Sequence, residues 1–238
     1  MRQLALLAAA LALPGCGGGD DDTALVVFAA SSLSGVADEM DPNAQFVFGG
    51  SNDLAAQLRD GAEVGIFLSA SAKPLTELRA TGLVEAPVVF ASNRLVIIVP
   101  AKNAADVTHI VDLTKAGVKL VLGAEGVPIG DYARESLELA GLGAALDNVV
   151  SLEEDVKGVV GKIALGEADA GIVYATDVSA AGDDVLSFPI SEYFQPKISY
   201  YAAIVSPGSS AAERYLQTLL GAQGEAALRS AGFLPAPS

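Results

Sequence analysis

Short apolar runs alternate with amphipathic stretches along the chain from residue 24 onward. The apolar runs predict strands that are buried on both faces, over residues 24–29, 45–48, 64–68, 94–99, 119–122, 170–173 and 198–205. Apolar residues spaced three or four apart predict helices between them, over residues 33–40, 52–60, 73–80, 130–140, 156–165, 211–220 and 225–231. This alternation predicts an α/β fold with parallel-rich sheets flanked by helices.

Two junctions between a strand and the next helix share one chemistry. Residues 27–34 (VFAASSLS) and 48–54 (FGGSNDL) each pass from an apolar strand through small residues and a hydroxyl into a helix. Free backbone N–H groups at the positive end of a helix bind anions, and ligands of parallel sheets bind at the carboxyl ends of strands. Ser32 and Ser51 are therefore candidate anion ligands, although each could be an ordinary helix cap.

Three later junctions add further donors. In residues 123–133 (GAEGVPIGDYA) a proline and a glycine flank Ile129, so its backbone N–H could point at a ligand. Residues 153–157 begin a helix in which the N–H of Val156 has no intrahelical acceptor. Residues 171–177 (GIVYATD) form a buried strand that ends in Tyr174, whose hydroxyl needs a partner.

In this order the five segments resemble those of the molybdate-binding proteins of bacterial ABC importers, and the resemblance covers residues 24–234. It implies a two-lobed periplasmic-binding-protein fold of type II with a hinge of two strands. It also implies that molybdate or tungstate is held between the lobes by Ser32, Ser51, Ile129, Val156 and Tyr174. The metal would be reached only through the oxygens of the anion, and no other cofactor is expected.

The resemblance also divides the chain. Residues 24–92 and 197–238 would form lobe I, and residues 93–196 would form lobe II. A ligand that contacts both lobes favours their closed arrangement. The expected role is that of a monomeric, extracytoplasmic solute-binding protein, not an enzyme, which delivers its ligand to the permease of an ABC importer.

Some segments depart from the family pattern. The stretch between the first two ligand loops is short, so the helix after Ser32 is expected to be truncated. The pair Gly49 and Gly50 makes the second loop more pliable than usual. Asp53 and Asp131 bring carboxylates close to two anion-binding loops, but acids in a first helical turn normally complement the helix dipole and face solvent.

The five candidate ligands offer hydrogen-bond donors and no charged side chain. A fully ionised tetrahedral dianion such as molybdate, tungstate or sulfate needs donors alone. Monohydrogen phosphate carries a proton that would find no acceptor, at a cost of about 1–3 kcal/mol. The residues therefore predict rejection of phosphate, whereas the preference for molybdate over sulfate is implied by the family resemblance.

The first 23 residues are typical of an exported lipoprotein. Residues 1–15 combine Arg2 with an apolar run too short to span a bilayer, which predicts a signal peptide. Residues 13–16 (LPGC) resemble a lipobox, which implies cleavage before Cys16 and its acylation. Residues 16–23 are rich in glycine and aspartate, so they predict a lipidated flexible tether, the sole link to the membrane.

Composition excludes several classes of protein. The 238 residues include 14 Lys and Arg against 29 Asp and Glu, a net charge of −15, which argues against nucleic-acid binding. Hydrophobic residues make up 51% of the chain, which argues for a large core. The sequence has one cysteine and one histidine, so it offers little for a protein-built zinc site or a Cys/His catalytic pair.

Other functions remain open at this level. The cavity could serve a general, sulfate-like oxyanion receptor, and Tyr200 with Tyr201 could bind ferric iron, although neighbours on a strand face opposite sides. A serine hydrolase would need Ser51 or Ser32 beside His109, which lies in a polar stretch expected at the surface. A lipid-anchored sensor or adhesin with the same two lobes is the last alternative.

Overall fold

The computed structural model describes residues 24–237. The strands are β1 (Val26–Ala30), β2 (Gln45–Gly49), β3 (Ile66–Ser69), β4 (Val88–Ser92), β5 (Leu95–Pro100), β6 (Leu120–Gly123), β7 (Val149–Glu153), β8 (Ala170–Tyr174), β9 (Val185–Pro189), β10 (Ser199–Ile204) and β11 (Leu234–Pro235). The α-helices are α1 (Ser51–Arg59), α2 (Ala72–Ala80), α3 (Pro128–Leu139), α4 (Val156–Ala164), α5 (Ala175–Ala181), α6 (Ser210–Leu220) and α7 (Ala222–Ser230). The predicted signal peptide and tether, with Cys16, lie outside the described residues. Across residues 24–237, the helices are too short or too polar to cross a bilayer.

Within the described residues the strands form two sheets. The first has the order β11-β4-β10-β3-β1-β2, and the second has the order β7-β6-β8-β5-β9. We call the first sheet with its helices the first lobe and the second sheet with its helices the second lobe. The chain passes from the first lobe to the second between β4 and β5 and returns between β9 and β10.

The predicted α/β class, with two sheets flanked by helices, is confirmed, but each sheet is mixed. The strands that lead into the ligand loops pair in parallel: β1 with β2 and β3, and β6 with β7 and β8. The strands that connect the lobes pair antiparallel: β10 with β3 and β4, and β5 with β8 and β9. The parallel arrangement therefore applies to the parts of the sheets that carry the candidate site.

The predicted elements do not include strands β4, β7, β9 and β11 or helix α5. Strands β7 and β9 lie at the edges of the second sheet. The side chains of β7 alternate between partial burial and exposure, and Val185 is the one buried residue of β9. The prediction depends on apolar runs typical of strands that are buried on both faces of a sheet, and an edge strand lacks such a run. Strand β4 is separated from β5 by two residues only, and α5 follows β8 with no linker, so neither has a clear boundary in the sequence.

The predicted helix over residues 33–40 is wrong. Two short 3-10 turns, Ser31–Leu33 and Ala37–Glu39, occupy this segment instead. The backbone of Val36 has φ −145° and ψ −21°, which interrupts the helix. The apolar side chains Leu33, Val36 and Ala37 do face the core, as the periodicity requires, but the extended φ of Val36 divides the segment into two short turns. The expected truncation is therefore more severe than the sequence indicated.

A contiguous hydrophobic core extends through both lobes, and a smaller cluster lies beneath α1 and α2 on the other face of the first sheet. Within the second lobe, α3 packs very closely on the end of β6. A Cβ atom on Gly123 would lie 2.7 Å from the backbone nitrogen of Gly130, and one on Gly130 would overlap the carbonyl oxygens of Gly123 and Ala124. Glycine at both positions therefore sets the distance between this strand and the helix that begins with the third ligand loop.

We expect Gly130→Ala to lower the free energy of unfolding by about 2–3 kcal/mol or more, because the added methyl group meets backbone atoms that cannot rotate away. Urea unfolding followed by circular dichroism measures this loss. Gly161→Ala is the matched control, since its Cβ would meet nothing within 4 Å. It lies inside α4, where alanine should add about 0.5–1 kcal/mol. Equal stability of the two variants would contradict the packing argument.

Candidate functional site

The ligand loops of the two lobes meet around one small cavity. The residues that line it are Ala30, Ser31, Gly49, Gly50, Ser51, Ala70, Val127, Pro128, Ile129, Asp155, Val156 and Tyr174. The space open to the centre of a water-sized sphere is about 10 Å³, close to the minimum that one water molecule needs. Pockets for organic ligands have volumes of roughly 300–1,000 Å³, so this cavity suits only a very small ligand.

Ser51 contributes a hydroxyl whose orientation is fixed. It is the first residue of α1, and its side chain is buried. Its oxygen accepts a hydrogen bond from the N–H of Ala70 at 3.1 Å. A serine hydroxyl has one proton and two acceptor sites, so this bond leaves the proton available for a ligand in the cavity.

Ile129 and Val156 contribute backbone donors from the second lobe. Ile129 is the second residue of α3, and Val156 is the first residue of α4. N–H groups in a first helical turn have no intrahelical acceptor. Asp155 caps α4 by accepting from the N–H of Gly158 at 2.9 Å, so the N–H of Val156 is not used by this cap.

Tyr174 ends β8 with its ring buried and its hydroxyl at the cavity. That hydroxyl has no hydrogen-bond partner within the described residues. Burial first, and then the neighbouring Tyr200, raise the pKa of Tyr174 well above its usual value. The hydroxyl therefore keeps its proton. A buried donor without a partner costs free energy, so it has a proton to offer to a ligand.

The first ligand loop differs from the sequence prediction. Ser31 lines the cavity, whereas Ser32 does not. The hydroxyl of Ser32 instead lies 3.0 Å from that of Tyr200. Two adjacent serines in a turn point in different directions, and nothing in the local sequence shows which one faces the ligand. The structure therefore brings together Ser51, Ile129, Val156 and Tyr174 of the five predicted residues, and it adds Ser31.

The carboxylates near the loops are occupied by other partners. Asp131 does not line the cavity, since it accepts from the N–H of Gly126 at 2.7 Å and lies 3.7 Å from the ammonium group of Lys73. Asp53 is exposed and also lies outside the lining. The lining carboxylate, Asp155, is used in the helix cap. The cavity thus combines neutral donors with little opposing charge.

The two lobes are in contact beside the cavity. The backbone at Gly50 in the first lobe approaches the carbonyl oxygen of Glu154 in the second so closely that a Cβ on Gly50 would overlap it. The ion pair between Lys73 and Asp131 also joins the two lobes. These contacts are those of a closed arrangement, in which donors from both lobes reach one ligand.

The alternative sites find less support in the geometry. Tyr200 belongs to the larger core cluster and Tyr201 packs against the smaller one, so their rings lie on opposite faces of the first sheet. Within residues 24–237, no group of three or more His, Cys, Asp or Glu side chains could hold a metal ion. The side chain of His109 is 79% exposed and lies 2.9 Å from the hydroxyl of Thr108, and His109 does not line the cavity.

Residues 25–234 match the family model described as bacterial extracellular solute-binding protein. The chain belongs to this family.

Individual relatives are molybdate-binding proteins by name. The chain is 30% identical over 221 residues to the molybdate-binding protein ModA of Mycobacterium tuberculosis H37Rv, covering 88% of this chain and 84% of the relative. It is 31% identical over 233 residues to ModA of Haemophilus influenzae, covering 90% and 91%. The periplasmic molybdate-binding protein of Azotobacter vinelandii has the same fold, with a TM-score of 0.77, 21% identity and coverage of 90% and 100%. The resemblance of the chain to the molybdate-binding proteins is thereby confirmed.

A buried ion pair lies beside the site. Asp177, in the first turn of α5, is 1% exposed and lies 3.0 Å from the ammonium group of Lys157 in the first turn of α4. Burial raises the pKa of Asp177 to about 6, although Lys157 opposes the shift. The folded protein therefore holds the proton of Asp177 more tightly than the unfolded chain does.

This shift predicts how Asp177 affects stability against pH. Its pKa rises on folding from 3.8 to about 6, so its contribution is most favourable below pH 4 and declines as the pH rises towards 6. Asp177→Asn should match the wild type near pH 4 and exceed its unfolding free energy by about 3 kcal/mol at pH 7. Urea unfolding at several pH values measures the difference. Asp147→Asn, at an exposed carboxylate, is the control and should follow the wild-type profile.

Proposed function

We propose that this solute-binding protein captures molybdate, and equally tungstate, between its two lobes and delivers it to the permease of an ABC importer. The observation that carries the proposal is a cavity lined by hydrogen-bond donors, in which the one acidic residue, Asp155, is engaged in a helix cap. Hydroxyls from Ser51 and Tyr174 and backbone N–H groups at Ile129 and Val156 meet there, and no Lys, Arg or His lines it. The two relatives at 30% and 31% identity are named molybdate-binding proteins, which supports this ligand over sulfate.

The cavity suits a small, fully ionised anion. Each hydrogen bond to a charged group contributes about 1.5–3 kcal/mol, so several donors converging on one dianion can offset its desolvation. A ligand that carries a proton, such as monohydrogen phosphate, would need an acceptor for it, and the one carboxylate in the lining, Asp155, already accepts a hydrogen bond in the cap of α4. Among fully ionised oxyanions, the ligand named for the two relatives favours molybdate over sulfate.

Binding of the anion stabilises the closed form of the protein, and this is the form that the importer would recognise. Ser31 and Ser51 belong to the first lobe, and Ile129, Val156 and Tyr174 belong to the second. Only the closed arrangement satisfies all of them, so the ligand stabilises that form. We further propose that the closed monomer docks on the permease outside the cytoplasm and that acylation of Cys16 is its only link to the membrane.

Loss of a single donor provides the direct test. We expect Tyr174→Phe to weaken molybdate binding roughly ten- to hundredfold, because the variant removes one charge-assisted hydrogen bond and keeps the ring. Isothermal titration calorimetry of the fragment 23–238 measures the affinity. Tyr193→Phe is the matched control, since Tyr193 is 88% exposed and should retain wild-type affinity. Wild-type affinity in Tyr174→Phe would remove Tyr174 from the site.

Competition in the same calorimeter tests the ligand class. Molybdate should saturate the wild-type fragment, and excess phosphate should fail to displace it because its proton finds no acceptor. Excess sulfate should also fail, as the ligand named for the two relatives predicts. If sulfate competes equally, the protein is a general oxyanion receptor. If no oxyanion binds, the five junctions are ordinary helix starts and the proposed function is wrong.

A further inference from the structure

Asp177 is a buried carboxylate near the cavity that anion binding by hydrogen-bond donors does not use. It lies three residues after Tyr174, in the first turn of α5, and its side chain is fully buried. Apart from the ion pair with Lys157 at 3.0 Å, neither of its oxygens has a hydrogen-bond partner among the described residues. Buried charges are normally paired and hydrogen-bonded, so Asp177 is an unusually poorly satisfied carboxylate.

The usual role of an acidic residue in a first helical turn does not account for Asp177. Tyr174 is the N-cap of α5, so Asp177 is the third residue of this helix. A side chain at that position can reach back and accept from the backbone N–H of the N-cap residue. Asp177 makes no such bond. Its charge complements the helix dipole, but that benefit does not require burial.

The charge of Asp177 reaches the cavity. The hydroxyl of Tyr174 lies at the cavity. Burial is the main cause of the raised pKa of Tyr174, Tyr200 and Tyr132 add to it, and the charge of Asp177 raises it further. Because Asp177 is buried, solvent and salt screen its charge less than that of a surface residue. An ionised Asp177 therefore repels a dianion that is bonded to Tyr174.

The charged groups of α4 that face Asp177 leave this repulsion incompletely balanced. Lys157, in the first turn of α4, supplies one positive charge. Asp155, the cap of the same helix, supplies a second negative charge, which adds to burial in raising the pKa of Asp177. One cation thus stands against two carboxylates beside the cavity.

The other main elements that pack on α5 supply no further cation. Strands β5 and β9 carry no ionisable side chain, and the ionisable residue of β8 is Tyr174, which keeps its proton. The 3-10 turn Gly182–Asp184 carries two acidic residues, both exposed and therefore well screened. Tyr200, whose pKa is raised by burial and then by the charge of Asp177, also keeps its proton.

We propose that Asp177 takes up a proton when the oxyanion enters the cavity, so that anion capture and proton binding are coupled. The proton comes from the solvent and adds to a carboxylate oxygen of Asp177. It removes the charge that opposes the dianion and leaves Lys157 as an uncompensated cation beside it. The inference rests on the proposed function, and it makes Asp177 a residue that sets the affinity without contacting the ligand.

The direction of the coupling follows from the charges. Burial already raises the pKa of Asp177 to about 6, so the carboxylate is largely ionised at pH 7–8 and close to accepting a proton. The two negative charges of the anion favour the neutral carboxyl further. The anion-bound protein then holds more protons than the free protein, so the affinity rises as the pH falls.

Calorimetry in two buffers of different ionisation enthalpy counts the protons taken up with each anion. For the fragment 23–238 and molybdate we expect about 0.5–0.7 protons per anion at pH 6.5, and an affinity that rises about five- to twentyfold from pH 8 to pH 6. Asp177→Asn should take up none of these protons, and at pH 8 it should bind molybdate more tightly than the wild type. No uptake by the wild type, or equal uptake by Asp177→Asn, would overturn the proposal.

Two control variants exclude other sources of the proton. His109 is the one histidine of the sequence, and histidine ordinarily titrates in this pH range. It is 79% exposed and does not line the cavity, so His109→Gln should keep the full proton uptake. Asp147→Asn removes an exposed carboxylate from the second lobe and should keep it as well. Loss of the uptake in either variant would place the proton elsewhere and overturn the proposal.

Infrared difference spectroscopy identifies the protonated group directly. The carbonyl stretch of a protonated carboxylic acid should appear when molybdate binds the wild type and should be missing from Asp177→Asn. Its presence in that variant would assign the proton to another carboxyl group. Because Asp177→Asn is expected to be at least as stable as the wild type, unfolding would not explain the loss of coupling.

These outcomes separate the inference from the proposed function. If the wild type binds molybdate without taking up a proton, the function stands and the role of Asp177 is wrong. If the wild type binds no oxyanion, the function is wrong and the coupling is wrong with it.

Discussion

Backbone groups from two lobes can meet at one small cavity only if the lobes approach almost without separation. The contact of Gly50 with the carbonyl oxygen of Glu154 makes this possible, because any side chain at Gly50 would hold the lobes apart. The first turns of α1, α3 and α4 are then all directed at the same cavity. Their unpaired N–H groups are a consequence of helix geometry, and the closed arrangement turns them into a binding site. The small size of the cavity follows from this contact.

The same geometry explains how an acidic protein can bind an anion. The net charge is −15, but surface charges beyond about 8–10 Å are largely screened in physiological salt. The carboxylates that come closest are already engaged, Asp155 in a helix cap and Asp131 with Gly126 and Lys73. Neutral dipoles fixed by the fold then determine the local potential. Within each lobe these dipoles are already oriented by the fold, so the main rearrangement that binding requires is the closure of the lobes.

The region behind the cavity is polar for a reason connected to the lobes. A purely apolar interface between the crossing segments would pack equally well in several orientations, whereas hydrogen bonds between Ser32, Tyr200, Asn93 and Thr176 require one. The aromatic ring of Tyr200 fills the adjoining space. Packing and hydrogen bonding thus specify the same relation between the first ligand loop and Tyr174.

Sequence alone determined the class of fold and most of the ligand loops. Buried runs and helical periodicity located the parallel strands, because burial on both faces requires uninterrupted apolar residues. The order of the five junctions indicated the family, and four of the five candidate ligands lie around the cavity. Edge strands such as β7 were not predicted, because their partly exposed residues do not form an uninterrupted apolar run.

Tertiary structure alone decided the rest. The hydroxyl of Ser32 lies 3.0 Å from that of Tyr200, a residue 168 positions away, whereas Ser31 lines the cavity. Whether Asp131 repels the anion depends on Lys73, which lies in the other lobe. Local sequence sets which groups can donate or accept, since that is a property of each residue type. Which groups point at the ligand is decided by contacts between segments distant in the chain, and no local pattern contains that information.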